Sequence, residues 1–403
     1  MAEIFAGCGY WSQVEKLEEQ VLLVRKQLYG EKHPGTLGTM ADLAAAYWHV
    51  GKLEEAEKLE EKLLFLCKQE FGEYHPNSLN AMSNLAATYR LHGKLQEAEK
   101  LEEKVLILRK QALGDHNLDA LNAMVNLSAT YRENGKLDKA EELAEKVVLL
   151  CKQGFGELHP RTLSCMVNLA VTYRRCGKLR KAEELAERIL SLHIHTIGES
   201  HPNTLHSMIN LAAIYKDRRK LEEAEKLQEE ILSLFKQTNG DYSPLTLICM
   251  AKLAATYRDR GNLQEAEKLQ VELVLLRKQV MGERHPNTLV SMTNLAAIYQ
   301  QSGMLQKAEK LQEEMLWLSK EVLGEHHPDT LNCMANLAVT YWRQCKLPEA
   351  EKLQEEAILL YNRIHGEHHP DTLISITNLA SIYRQNGKVQ EAEKLLEAYQ
   401  DRY

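Results

Sequence analysis

The stretch His201-Pro-Asn-Thr-Leu-His-Ser-Met-Ile-Asn-Leu-Ala-Ala-Ile-Tyr215 poses a choice between chemistry and architecture. It offers a histidine at a helix entrance, an asparagine in mid-helix and a tyrosine behind it. Steps of 42 residues downstream from His201 reach Ser243-Pro244, His285-Pro286, His327-Pro328 and His369-Pro370. Steps upstream reach His159-Pro160, Asn117-Leu118, His75-Pro76 and His33-Pro34. A segment that returns nine times along one chain is a building block rather than a catalytic centre.

The period overrides the length prior for 403 residues, because repeat arrays grow along one axis without a single large core. With 44% hydrophobic and 27% charged residues the composition is that of a soluble protein. It contains no run of 18 apolar residues, so no membrane span is expected. The N-terminus lacks the basic and apolar regions of a secretory signal. A net charge of −7, with lysine and glutamate interspersed, argues against nucleic-acid binding, which needs a concentrated positive surface. Eight cysteines include no CxxC pair. Cys165, Cys249 and Cys333 share a column of small residues, and Cys67 and Cys151 share another. These are packing positions, and a reducing, cytoplasmic setting is expected.

Asn77 to Lys110 serves as one unit. Leu79, Met82, Leu85, Ala86 and Tyr89 recur at spacings of three and four, one face of a helix. Gly93 ends that helix in the manner of a left-handed C-terminal residue. Leu95, Ala98, Leu101, Val105, Leu106 and Leu108 form a second series. The Leu85, Tyr89 and Ala98 columns are leucine, tyrosine and alanine in all nine repeats. Alanine there lets two helices approach closely, and tyrosine supplies a broad ring with a polar tip.

The pattern Asn-Leu-Ala-x-x-Tyr-x-x-x-Gly-x-Leu-x-x-Ala resembles the tetratricopeptide repeat (TPR), usually 34 residues long. The extra eight residues and the Gly-Glu-x-His-Pro-x-Thr-Leu loop resemble the 42-residue subclass of kinesin light chains. Similar arrays occur in fungal NACHT-type receptor proteins. The resemblance covers essentially the whole chain. It implies an all-α fold, a right-handed TPR superhelix or α-solenoid. Nine helix-turn-helix repeats are expected over 31–403, with 1–30 a partial repeat or N-terminal cap. Arg219 and Cys345 replace the turn glycine, so strained or reshaped turns are expected there. No heptad segment accompanies the array, against a motor-adaptor role. Both ends look unfinished: Gly9 to Gly30 aligns with a second helix, and the last helix stops at Tyr403.

Histidines such as His326-His327 and His365-x-x-His368-His369 invite a metal reading. Motif histidines one repeat apart are too distant for joint coordination, and no zinc-like spacing occurs. No HExxH, P-loop, GxSxG or GxGxxG is present, so no catalysis, metal or cofactor is expected. His193 and His195 read as a surface pair, and the acceptor-like Asn126-Leu-Ser128 falls inside a packed helix. The run Glu54-Glu-Ala-Glu57-Lys58-Leu-Glu60-Glu61-Lys62 reads as a solvated outer face with pairs such as Glu54–Lys58.

On the first helix, Asn80, Asn84, Ala87 and Leu91 lie opposite Tyr89. The Asn84 column reads Asp42, Asn84, Asn126, Asn168, Asn210, Lys252, Asn294, Asn336 and Asn378. Helix packing does not demand asparagine there. Its amide can donate and accept, which suits the backbone of an extended peptide. In similar repeats the matching asparagines line the concave groove, and the resemblance implies that role here. A neighbouring column reads Trp48, Arg90, Arg132, Arg174, Lys216, Arg258, Gln300, Trp342 and Arg384. A row of cations would attract acidic segments or carboxylate ends. The alternatives are asparagines bonded to neighbouring helices and basic side chains paired with glutamates of adjacent repeats.

The function expected is a non-catalytic scaffold binding extended, acidic peptide segments in its concave groove. One alternative is the regulatory or sensing region of a larger NACHT-type signalling protein, self-associating through its helix ends. Another is a kinesin-light-chain-like cargo adaptor.

Overall fold

A computed structural model describes residues 11–400. Residues 1–10 and 401–403, on which the reading of the two ends partly depends, lie outside the described residues. Nineteen helices and no strand occur among the described residues. None of these helices is long and apolar enough to cross a membrane. The chain divides into two compact units, Met1–Ile214 and Tyr215–Tyr403.

The first unit opens with the helix Trp11–Tyr29 and then alternates first helices, such as Pro76–Leu91, with second helices, such as Leu95–Leu113. Each packs on its chain neighbours, and the first helix Leu118–Glu133 also touches the next first helix, Pro160–Arg175. Met82, Met124 and Met166 are fully buried, beside Leu85, Leu127 and Leu169. Each such leucine contributes roughly 1.5–3 kcal/mol by leaving water. The second unit repeats the plan from Leu221–Asn239 to Val389–Gln400. One of its cores joins Val274, Leu289, Met292, Leu295, Met315 and Leu318. Consecutive helix pairs in each unit therefore pack as a solenoid does.

The loop motif closes through specific bonds. Gly156 ends a second helix at φ 87° and ψ 167°, a region open to glycine, and its N–H donates to the Lys152 carbonyl. Thr162, wholly buried, donates from Oγ1 to the Gly156 carbonyl at 2.7 Å. His159 caps the next helix: its Nδ1 accepts from the Arg161 N–H at 3.2 Å. Pro160 occupies the first turn, where no N–H is needed. Phe155 stacks on the capping ring at 5.0 Å. The motif histidines are therefore helix caps. Asn117 makes the same bond through Oδ1 at 2.8 Å, whereas Ser243 makes no side-chain cap.

Two expectations need correction. His193 is buried and sits 2.8 Å from Ser207 Oγ, while His195 is exposed. Residues two apart on a helix face different ways, so they cannot form one surface pair. Burial, then the nearby His201, lowers the His193 pKa. The glutamate run is not simply solvated. Glu57 holds His92 at 2.6 Å and also binds Lys94, Glu61 accepts from the Tyr89 hydroxyl at 2.8 Å, and Glu60 is buried. The i,i+4 support foreseen at Glu54–Lys58 does form in the equivalent pair Glu222–Lys226, at 3.3 Å.

The turns without glycine are strained, as expected, and not reshaped. Arg219 and Cys345 adopt φ of 62° and 61°, and their N–H groups bond to the Lys216 and Trp342 carbonyls as Gly93 does to Arg90. The turn keeps its shape and the side chain bears the left-handed conformation, at roughly 1–2 kcal/mol. Arg219→Gly and Cys345→Gly are each expected to raise unfolding free energy by about 1 kcal/mol in urea titrations. A loss of stability in both would contradict this account of the turns.

Candidate functional site

The asparagine column lies on the side of the first helices away from their buried leucines. Asn84 and Asn336 are exposed, and Asn126, Asn168, Asn210, Asn294 and Asn378 are half-buried. No hydrogen bond to any of these seven amides is formed among the described residues. Asn210 Nδ2 is buried and without a partner. The alanine-rich column beside them, with Ala87 and Ala129 half-buried, keeps this face low.

The neighbouring cations act partly as braces between repeats. Arg90 Nε lies 3.6 Å from Glu133, and Lys216 Nζ lies 2.7 Å from Asp259. Arg258 lies 3.5 Å from Asp259, its chain neighbour. Arg132 donates to Thr172 Oγ1 at 3.3 Å. The acids responsible occupy the next column, one repeat on. Both signs of charge surround Arg132. Burial lowers its pKa, Glu133 opposes this, and the nearby Arg90 and Arg175 lower it further. Arg174 is also engaged in an interaction.

Behind the amides runs a column that the sequence reading missed. Gln270 Nε2 donates to the Ser291 carbonyl at 2.8 Å, and Gln354 Nε2 to the Ser375 carbonyl at 3.0 Å. Gln312 accepts from Thr340 Oγ1 at 2.5 Å. In the first unit the same slot holds Glu60 and Glu102, both buried, each with Oε2 unpartnered. A neutral carboxyl is nearly isosteric with the glutamine amide and fits the slot better than a carboxylate. The later glutamines were the available signal.

Burial pushes Glu60 from 4.5 up to about 7, with a bond to Thr88 opposing. A raised acid pKa stabilises the fold fully below the unfolded value, and that stability is lost as pH rises through the folded one. The window therefore runs from about 4.5 to about 7. Glu60→Gln is expected to flatten the decline of stability across this window and to add on the order of 2 kcal/mol at pH 8. Urea titrations at several pH values check this; an unchanged slope would contradict it.

In the second unit, Asn294 and Asn336 converge on one cavity of ≈ 580 Å³ between the first helices Pro286–Gln301 and Pro328–Arg343. Val290 and Thr293 form part of its wall, Met315 and Ser319 its floor, and Arg284 and Asp329 its rim. The column of Ser319 holds Arg109, Phe235, Arg277 and Tyr361 in other repeats and the small Cys67 and Cys151 in two more. A smaller cavity of ≈ 60 Å³ adjoins through Asn336 and includes Gln300 and Gln312. Among the described residues no group of three His, Cys, Asp or Glu side chains is placed to hold a metal ion.

The tetratricopeptide repeat family model matches residues 42–111, 119–194, 166–237, 202–272, 246–316, 293–358 and 336–403. No curated protein sequence matches the chain. A structure of kinesin light chain nearly identical TPR-like repeats from Podosopora anserina is 29% identical, with a TM-score of 0.47, over 51% of this chain and 97% of that one. A signal transduction ATPase with numerous domains and a tetratricopeptide repeat sensor, from Pyrococcus horikoshii, is 15% identical. Its TM-score is 0.57, over 94% of this chain and 54% of that one. The apo form of RapI is 10% identical, with a TM-score of 0.58, over 91% of this chain and 97% of that one. The likeness to the last two is one of fold.

Proposed function

Because the chain belongs to the tetratricopeptide repeat family, whose arrays are generally non-catalytic interaction scaffolds, we propose that it binds extended polypeptide segments along the asparagine face of its first helices. The observation that carries this reading is the amide column itself. Seven asparagines recur at one position, each exposed or half-buried as a residue although Asn210 Nδ2 itself is buried, and none is spent on an internal hydrogen bond among the described residues. An extended segment exposes backbone donors and acceptors that such amides satisfy in pairs.

Each unit, taken by itself, offers such a segment a different feature. In the first unit the basic column of Arg90, Arg132 and Arg174 favours an acidic side chain or a terminal carboxylate, with Glu133 competing for Arg90. The cavity between Asn294 and Asn336, with Val290 and Met315 in its lining, takes an apolar side chain while the amides hold the adjoining backbone. The braces at Arg90 and Lys216 reduce the charge available, so the acidic preference is modest and depends on salt.

Peptides selected from a displayed random library against the full chain provide the probe. The double variant Asn126→Ala with Asn168→Ala is expected to weaken the best peptide about 10-fold or more, from roughly 1 kcal/mol per lost bond. Its melting temperature should stay at the parent value. A sharp fall in melting temperature with unmoved affinity would make these asparagines structural and end the reading.

A further inference from the structure

On the second helices, the position nine residues after the buried alanine is half a turn out of phase with it and faces outward. In three repeats of each unit a large apolar side chain stands in solvent there. In the first unit Phe65, Ile107 and Leu149 are 60%, 54% and 56% exposed. In the second unit Leu275, Trp317 and Leu359 are 56%, 57% and 70% exposed. Single exposed leucines are ordinary, but a column of them on one face is not. Ser191 and Ser233 hold the same column between the two rows, so a small polar residue is compatible with the position.

One turn back from each apolar residue, the charge reverses between the units. The first unit has Lys62, Lys104 and Lys146; the second has Glu272, Glu314 and Glu356. Each belongs to a three-charge group. Glu73 is held by Lys104 at 2.6 Å and Lys68 at 3.6 Å, and Asp115 by Lys146 at 3.4 Å and Lys110 at 3.8 Å. Glu31 sits likewise between Lys62 and Lys26. Two lysines about one acid leave each group one positive charge.

In the second unit a lysine takes the centre. Lys278 lies 2.7 Å from Glu314 and 3.4 Å from Glu283, and Lys236 lies 3.0 Å from Glu272 and 3.7 Å from Asp241. Lys320 sits likewise between Glu356 and Glu325. Each of these groups keeps one negative charge. Toward the N-terminal ends of the same helices both units mix lysine with glutamate, so the contrast is confined to the turn beside the apolar row.

We infer that the outer face of the first unit docks on the outer face of the second unit in another copy of this chain. Apolar row meets apolar row, and each positive group faces a negative one. Both rows advance by the same 42-residue repeat, so they share one spacing and the groups match in register. Like faces repel, which disfavours first-on-first and second-on-second pairing. The occupant is thus a second copy, bound through a surface distinct from the asparagine face.

Sedimentation of the full chain tests this. Association at micromolar concentration is expected in low salt and should weaken steeply between about 0.05 M and about 0.5 M salt. The triple variants Lys62→Glu/Lys104→Glu/Lys146→Glu and Glu272→Lys/Glu314→Lys/Glu356→Lys should each raise the dissociation constant at least ~30-fold. Mixed in equal amounts they should associate again, because one then presents acidic faces and the other basic ones. Circular dichroism confirms that each variant is folded, and Trp317→Ser, which removes no charge, should weaken association by itself. A parent chain that stays monomeric in low salt, or folded variants whose mixture fails to associate, would overturn the inference.

Discussion

The contact on which everything else rests is the alanine of each second helix. Ala56, Ala98, Ala140 and Ala182 in the first unit, and Ala266, Ala308 and Ala350 in the second, have no exposed surface at all. A side chain of one carbon lets two helices approach closely. Repeating that distance at a fixed interval gives every repeat the same neighbours. The leucine and methionine columns fill the space so defined, and no large separate core is required.

Polar groups then divide into those that lock repeats and those left available. In each unit a tyrosine hydroxyl reaches back to a glutamate of the preceding second helix, as Tyr131 does to Glu103 at 2.6 Å and Tyr257 to Glu229 at 2.6 Å. The lysine before the next second helix joins the same seam: Lys136 holds Glu99 at 2.5 Å, and Lys346 holds Glu309 at 2.5 Å. Burial, then the facing carboxylate, raises the Tyr131 pKa, which keeps its hydroxyl protonated and donating. Burial would raise Glu99, but its bonds to Lys136 and Asn134 hold it below the ordinary value. Tyr299 has Val271 where the glutamate stands elsewhere, and its ring lies 5.2 Å below Lys307 instead. The seams thus hold the repeats together without drawing on the asparagine amides.

Much of this was legible in the sequence because a repeat is its own control. Identity of the leucine, tyrosine and alanine columns marks shared packing, and the 3.6-residue period places Asn168 away from Leu169. Other features needed coordinates. That His159 caps a helix depends on the direction of Nδ1 relative to the Arg161 N–H, which no spacing reveals. His193 was misjudged because its column varies from arginine to cysteine to tyrosine, and that variety hid a buried position. Arg219 showed that a turn held by backbone bonds keeps its form when glycine is lost. The bracing of Arg90 and Lys216 arises from acids at a different column, so reading one column at a time misses it. Glu60 and Glu102 became informative only beside Gln270 and Gln354, whose bonds define the slot.

The close helix contact at alanine is open to direct measurement. Unfolding free energy of the full chain carrying Ala182→Leu, compared with the parent in urea titrations, interrogates one such contact in mid-array. The account predicts a loss of roughly 1–3 kcal/mol, because the added carbons have nowhere to go without forcing the helices apart. Parent-like stability in that variant would contradict it, since the helices would then not depend on the missing side chain for their approach.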